Sequence, residues 1–276
     1  MDIDSLRHLA MDGKTAVVTG STQGLGEAIA HMFADRGVTQ MVITGRNAER
    51  GQRVKAALEA KQVKTVFVQA DLLKMAEVRK VIAACDAAFG RIDALVNAAA
   101  LTDRGSIWDT SEERYDQLFD ANVKAPFFLM QDALHLMKKS RSSGTIVNIL
   151  SMSAHGGQDF LSAYSTTKGA LAVLTKNVAF SVLGYRIRVN GLNIGWMDTP
   201  GEDTIQKAYH AADPGWLTQA EASRPFGRLL KPDEVARTVA YLSSAESGLM
   251  TGSIIDFDQM VMGPGNAPAT PPPAAW

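Results

Sequence analysis

Apolar residues fall along this chain in two alternating patterns. The first is a set of short, nearly unbroken runs at 15–19, 41–44, 65–69, 94–97, 145–150, 187–192 and 253–257. They are rich in β-branched residues and lack the every-second-residue alternation of a half-exposed strand, so they predict strands buried on both faces. The second is a set of longer segments, 27–36, 47–61, 75–89, 111–137, 164–183 and 232–244, with apolar positions three and four apart, which predict helices. Gly37 and Gly90 mark helix stops, and Pro232 suits a first helical turn. Pro126 falls inside 111–137 and predicts a bend or a local accommodation there. Residues 195–230, with several Gly, Pro and Asp, predict a loop-rich lid. Strand and helix alternate without a break in composition. That predicts one α/β domain over 1–262, built on a mostly parallel sheet with helices on both faces. The Pro- and Ala-rich stretch 263–276 predicts an extended tail.

Composition narrows the function classes. The 276 residues are 46% hydrophobic and 21% charged, with a formal net charge of −1. Such a chain has no basic field to draw nucleic acid or an anionic membrane, and neither partner is expected. Cys85 is the single cysteine, which excludes an intrachain disulfide and a cysteine-rich zinc site, and predicts a buried, inert thiol. The spacing of Asp and Glu offers no metal site. Residues 1–9 lack the apolar core of a signal peptide, and no stretch is long and apolar enough to span a bilayer, so a cytoplasmic protein is expected.

Two motifs carry chemistry. Thr19-Gly20-Ser21-Thr22-Gln23-Gly24-Leu25-Gly26 follows the first strand and opens the first helix. There Gly20 can make a tight turn and Gly24 can let backbone approach a pyrophosphate. Gly26 can let helix and strand pack closely, with phosphates at the helix N-terminus. Farther on, Tyr164 and Lys168 are four apart and share one helix face. An adjacent ammonium favours phenolate, so Lys168 is expected to draw Tyr164 down from about 10 toward neutrality.

With TGxxxGxG at 19–26 and YxxxK at 164–168, the chain resembles the short-chain dehydrogenase/reductase family from about Gly13 to Phe257. The resemblance implies a doubly wound, Rossmann-like parallel sheet of about seven strands. It implies an oxidoreductase that interconverts a secondary alcohol and a ketone, or a lactol and a lactone, with NAD or NADP. By position it implies four catalytic residues: Asn122, Ser151, Tyr164 and Lys168. It assigns Asp71 and Leu72 to adenine, and Asn97 and Ala98 to the turn beside the cofactor. Gly195, Met197 and Thr199 are assigned to the nicotinamide, together with Tyr164 and Lys168. The family's Asn-Asn-Ala-Gly is Asn97-Ala98-Ala99-Ala100 here, its Pro-Gly is Ile194-Gly195, and its Asp-Gly-Gly is Asp256-Phe257-Asp258-Gln259. These departures bear on substrate more than on reaction. The family also implies a homo-oligomer, dimer or tetramer.

An acidic residue at the end of the second strand would accept from a ribose 2′-hydroxyl and select NAD. Here Gly45-Arg46 stands in its place, and Arg46 can pair with a 2′-phosphate, which favours NADP; the alternative is an Arg46 that only stacks on adenine, with NAD as cofactor. The expected substrate wall, with Ser151, Ser153, His155, Tyr164 and Trp196, is rich in hydrogen-bonding groups. It suits a sugar, a polyol or a similar polar small molecule. The alternatives are a 3-ketoacyl carrier-protein reductase-like enzyme and an inactive dinucleotide-binding regulator.

Overall fold

The strands that appear are those the apolar runs mark. In a computed structural model, which describes residues 11–210 and 212–261, seven strands form one sheet. They are β1 (Thr15–Val18), β2 (Gln40–Gly45), β3 (Lys64–Gln69), β4 (Ala94–Asn97), β5 (Thr145–Ile149), β6 (Arg188–Ile194) and β7 (Ile254–Phe257). Their order is β3-β2-β1-β4-β5-β6-β7 and every neighbouring pair is parallel. The start of the chain and the expected tail 263–276 lie outside the described residues.

The missing alternation has a simple cause: both faces of the sheet are dry. Ala16, Val18, Met41 and Ile43 pack on one face with helices α1 (Gly24–Asp35) and α9 (Pro232–Ser243). Val17, Val42, Leu95 and Ile146 pack on the other with α3 (Met75–Phe89), α5 (Ala125–Ser140) and α6 (Ser162–Ser181). Helix α2 (Ala48–Ala60) covers the β2–β3 end. Cys85 sits in the second layer, where burial pushes its thiol up to about 12 and leaves it inert at neutral pH.

Two segments differ from expectation. The helix expected over 111–137 is α4 (Glu112–Phe119), a π-turn (Asp120–Lys124) and then α5. The Ala125 N–H reaches back to the Asp120 carbonyl, five residues away, so the chain widens just before Pro126, which has no N–H to give. The loop expected over 195–230 contains α7 (Pro200–Tyr209) and α8 (Trp216–Ala222). Thr199 caps α7 by accepting from the Glu202 N–H at 3.1 Å, Pro200 takes the first turn, and Glu202 and Asp203 face the positive end of the helix. Among the described residues, no helix is long and apolar enough to cross a membrane, and no group of three or more His, Cys, Asp or Glu is placed to hold a metal ion.

Candidate active site

Sheet order reverses direction at β1, whose neighbours are β2 and β4. At such a point the loops leaving the strands diverge and open a crevice at the strands' C-terminal ends. A cleft of about 1360 Å³ lies there. It exceeds the usual volume of a small-ligand pocket, roughly 300–1,000 Å³, leaving room for a dinucleotide beside a second molecule.

The floor of the cleft is the glycine loop. Gly20 has a left-handed φ of 64°, and a Cβ there would stand 2.8 Å from Ala99 Cα. A Cβ on Gly26 would stand 2.3 Å from the Gly20 carbonyl oxygen. The Ser21 hydroxyl donates to the Val18 carbonyl at 2.7 Å and accepts from the Thr44 N–H at 3.0 Å, pinning the turn to β1 and β2. The Thr19 hydroxyl accepts from the N–H groups of Ala98 and Ala99 at 3.0 and 3.1 Å. Backbone groups therefore hold the 97–100 turn, which explains how alanines serve where an asparagine and a glycine were expected. Gly26→Ala is expected to cost about 1–3 kcal/mol of stability through overpacking and to weaken dinucleotide binding. Thermal unfolding and cofactor titration of the variant check both.

The cradle fits a dinucleotide. The first N–H groups of α1 have no partner within the helix and face a bend that only glycines can make. At the far end of the cleft, a Cβ on Gly45 would fall 2.6 Å from the Thr22 hydroxyl. An acidic side chain there would displace Thr22. Arg46 is exposed at the rim, and Arg50, one turn into α2, bonds the Gln23 side chain. Asp71 and Leu72 line the same end.

At the other end stand Tyr164, Lys168 and Ser151. Tyr164 is buried, and burial raises its phenol pKa; a hydrogen bond with Ser151 and the nearby Arg104 charge act the opposite way, and Glu202 adds to the rise. Lys168 Nζ donates to the Ile149 carbonyl at 2.9 Å, and burial pushes it down to about 8. The expectation that Lys168 draws the phenol toward neutrality is corrected here. The ammonium lies 5.7 Å from the ring centroid, bonded to a carbonyl, and desolvation outweighs the downward effects on Tyr164. Ser151 Oγ also accepts from the Ser153 N–H at 3.1 Å, which fixes the serine after β5.

Most residues singled out from the sequence meet in this cleft. Gly20, Thr22, Gln23, Gly24, Leu25 and Gly26 line one wall, with Arg46, Asp71, Leu72 and Ala98. Ser153, Gly195, Trp196, Met197 and Thr199 line the other. Ser21, Asn97, Asn122 and His155 do not line it. Asn97 donates to Asn148 Oδ1 at 2.8 Å inside the sheet. Asn122, turned inward by the π-turn, accepts from the Leu101 N–H at 2.8 Å and donates to the Leu101 carbonyl at 2.9 Å and Thr167 Oγ1 at 3.1 Å. Its side chain clamps the loop over the cleft. His155 lies half-exposed against Asp256 at 3.0 Å. Lining residues not singled out beforehand include Arg50, Arg104 and Arg224. Arg50 carried a signal, four residues beyond Arg46 on a helix.

The chain is similar to known proteins over most of its length. A family model described as enoyl-(acyl carrier protein) reductase matches residues 20–259. An NADP-dependent (R)-specific alcohol dehydrogenase of Lentilactobacillus kefiri is 31% identical over 245 residues, covering 88% of this chain and 94% of that protein. A galactitol 2-dehydrogenase of Agrobacterium fabrum is 29% identical, covering 91% and 98%. The crystal structure of an L-sorbose reductase from Gluconobacter frateurii, complexed with NADPH and L-sorbose, superposes with a TM-score of 0.85 at 28% identity, covering 91% and 97%.

Proposed function

Because the chain belongs to the short-chain dehydrogenase/reductase family, and so is a nicotinamide-dependent oxidoreductase acting on CH–OH groups, we propose that it interconverts a secondary alcohol and a ketone on a sugar, a polyol or a similar polar molecule, with NADP as the preferred cofactor. The observation that carries this reading is the meeting of Tyr164, Ser151 and Lys168 with the glycine cradle in one cleft. A bound nicotinamide supplies or accepts the hydride. Tyr164 gives the proton in reduction and takes it in oxidation. Ser151 donates to the substrate oxygen as negative charge develops there. Lys168, buried below Tyr164 on the same helix face, is the cation of the nicotinamide ribose side. Asn122 is a positioning residue, holding Leu101 over the cleft. Helix α7 lines the substrate end, and α8 packs against it through Trp216, which donates to Asp203 at 2.9 Å. The names of the galactitol and L-sorbose enzymes support a polyhydroxylated substrate. A panel of sugars, polyols, hydroxy acids and simple carbonyl compounds, each with NADP(H) and NAD(H) and read at nicotinamide absorbance, tests the reading. Turnover confined to apolar ketones would overturn it.

Arg46 and Arg50 both line the end of the cleft next to Gly45, which leaves no acid to repel a 2′-phosphate, and this supports NADP. Losing one charge-assisted contact costs about 1.5–3 kcal/mol, roughly 10–100-fold. The double change Arg46→Met with Arg50→Met is therefore expected to raise KM for NADP by at least that factor and to leave KM for NAD little changed. Steady-state kinetics with both cofactors decides it. We assign the exposed Phe127, Val173 and Phe180 on α5 and α6 to contacts between copies in a dimer or tetramer, which light scattering tests.

A further inference from the structure

A guanidinium stands in the substrate half of the cleft, paired only loosely with a carboxylate, Glu202 at 3.4 Å. Arg104 is only 14% exposed. Its Nη1 donates to the Thr102 carbonyl at 2.9 Å, its Nε to His210 Nε2 at 3.3 Å, and its Nη2 to Glu202 Oε1 at 3.4 Å. Charge-assisted bonds of this type normally close to about 2.7–2.9 Å, so the contact to Glu202 is loose. Glu202 Oε1 is already taken by Trp196 Nε1 at 2.8 Å and Gln206 Nε2 at 2.7 Å. Those two neutral donors hold the carboxylate on α7 without help from Arg104. Glu202 is the counter-charge at hand, but at 3.4 Å it holds the guanidinium loosely, and the fork still has N–H groups to offer.

Its place in the cleft shows what that counter-charge meets. Arg104 lines the same wall as Tyr164 and acts on the phenol through its charge. It lies beside the reacting position. Phe160 flanks it, with the guanidinium 6.0 Å from the ring centroid. A second cation, Arg224, lines the cleft, stacked 5.0 Å over the Trp196 ring. Carboxylates (Asp109, Glu202 and Asp258) and cations (Arg104, Lys168 and Arg224) are interspersed here, so selection rests on the geometry of the fork and not on net field.

We propose that Arg104 binds a carboxylate of the substrate through its guanidinium fork, so that the substrate is a polyhydroxy acid of the aldonate class and not a neutral sugar or polyol. This rests on the dehydrogenase reading above and narrows its substrate. A carboxylate matches the planar fork with two parallel N–H···O bonds. It would take the N–H groups now loosely held by Glu202 and His210. With the acid end fixed at Arg104 and one hydroxyl against Tyr164 and Ser151, a single carbon of the chain is presented for oxidation. In oxidation that carbon would lose a hydride to the oxidised nicotinamide and its hydroxyl proton to the ionised Tyr164, leaving a keto acid and the neutral phenol.

The test pairs acids with neutral counterparts: D-gluconate against sorbitol, and D-galactonate against galactitol, with NADP and wild type, Arg104→Met and Arg104→Lys. The expected wild-type preference in kcat/KM is for the acids. Arg104→Met should lower the acid-to-polyol ratio at least about 30-fold, since cutting one partner from a buried charge pair is costly. Arg104→Lys should restore part of it. A second readout separates this proposal from the dehydrogenase reading: calorimetric binding of the same four compounds to NADP-loaded Tyr164→Phe, with and without Arg104→Met. Acid binding that depends on Arg104 without turnover in wild type would keep the carboxylate site and sink the dehydrogenase reading. Wild-type preference for the polyols, an unchanged ratio in Arg104→Met, or no acid bound or turned over would overturn the proposal.

Discussion

Tyr164→Phe should lower turnover roughly 10²–10⁴-fold or more while leaving cofactor affinity nearly unchanged. The phenol faces the cleft at its substrate end and is hydrogen-bonded to Ser151. Phenylalanine keeps the ring packed against Leu118, Leu161 and Ala163, so the fold is expected to survive. Removing a hydroxyl buried to this degree also removes a polar group from a dry site, and stability should change by no more than about 1 kcal/mol either way. In the unliganded protein burial raises the phenol, so it is protonated at neutral pH, ready as the acid of the reductive direction. Oxidation needs it ionised. The oxidative rate should therefore rise with pH more steeply than the reductive rate, and both dependences should vanish in the phenylalanine variant. Rapid kinetics in each direction, with cofactor binding followed by nicotinamide fluorescence, gives the measurement. Near-wild-type turnover in Tyr164→Phe would remove Tyr164 from the chemistry.

How much of this was legible in the chain depends on the range of the interaction that causes each feature. Strands such as 94–97 and 145–150 were readable within a residue or so, because burial on both faces leaves an unbroken apolar run. The glycine loop was readable because its constraint is local: Gly26 meets Gly20, six positions away. Helix α7 was legible in principle, since Thr199, Pro200, Glu202 and Asp203 form an N-terminal signature, but the Gly and Pro content of 195–230 outweighed it. Asn122 illustrates the opposite case. Its position in the family pattern was found, yet its partners Leu101 and Thr167 lie 21 and 45 residues away, and only the π-turn aims it at them. Arg104 and Glu202, 98 residues apart, carry no mutual signal along the chain. His155 was expected on the substrate wall, but its imidazole lies against Asp256 on β7, 101 residues on, a partner nothing local in the chain marks.

Lys168→Met should abolish most activity and, below pH 8, remove a source of instability. The ammonium is 2% exposed, bonded to one carbonyl, and its pKa is pushed down to about 8 from the usual 10.5 by burial alone. The unfolded chain holds this proton more tightly than the folded one. Above about 10.5 both states are neutral and the group is silent. As pH falls from there to 8, only the unfolded state gains the proton, and folding loses about 3 kcal/mol. Below 8 the loss is complete. Methionine carries no charge, so the stability of the variant relative to wild type should be highest at pH 7 and fall by about 3 kcal/mol between pH 8 and 10.5. The Ile149 carbonyl loses its partner in the variant, at a cost of about 1–3 kcal/mol, but that cost does not vary with pH. Denaturant unfolding of the two proteins across this range isolates the slope. Parallel curves would mean that Lys168 is not buried as an ion. Activity should drop roughly 10²-fold or more, because the cation assigned to the nicotinamide ribose side is then lost. A chain that tolerates a charge at this cost, when an apolar residue would fold more firmly, keeps it for chemistry. The paired outcome, firmer fold and lost turnover, distinguishes that purpose from a structural one.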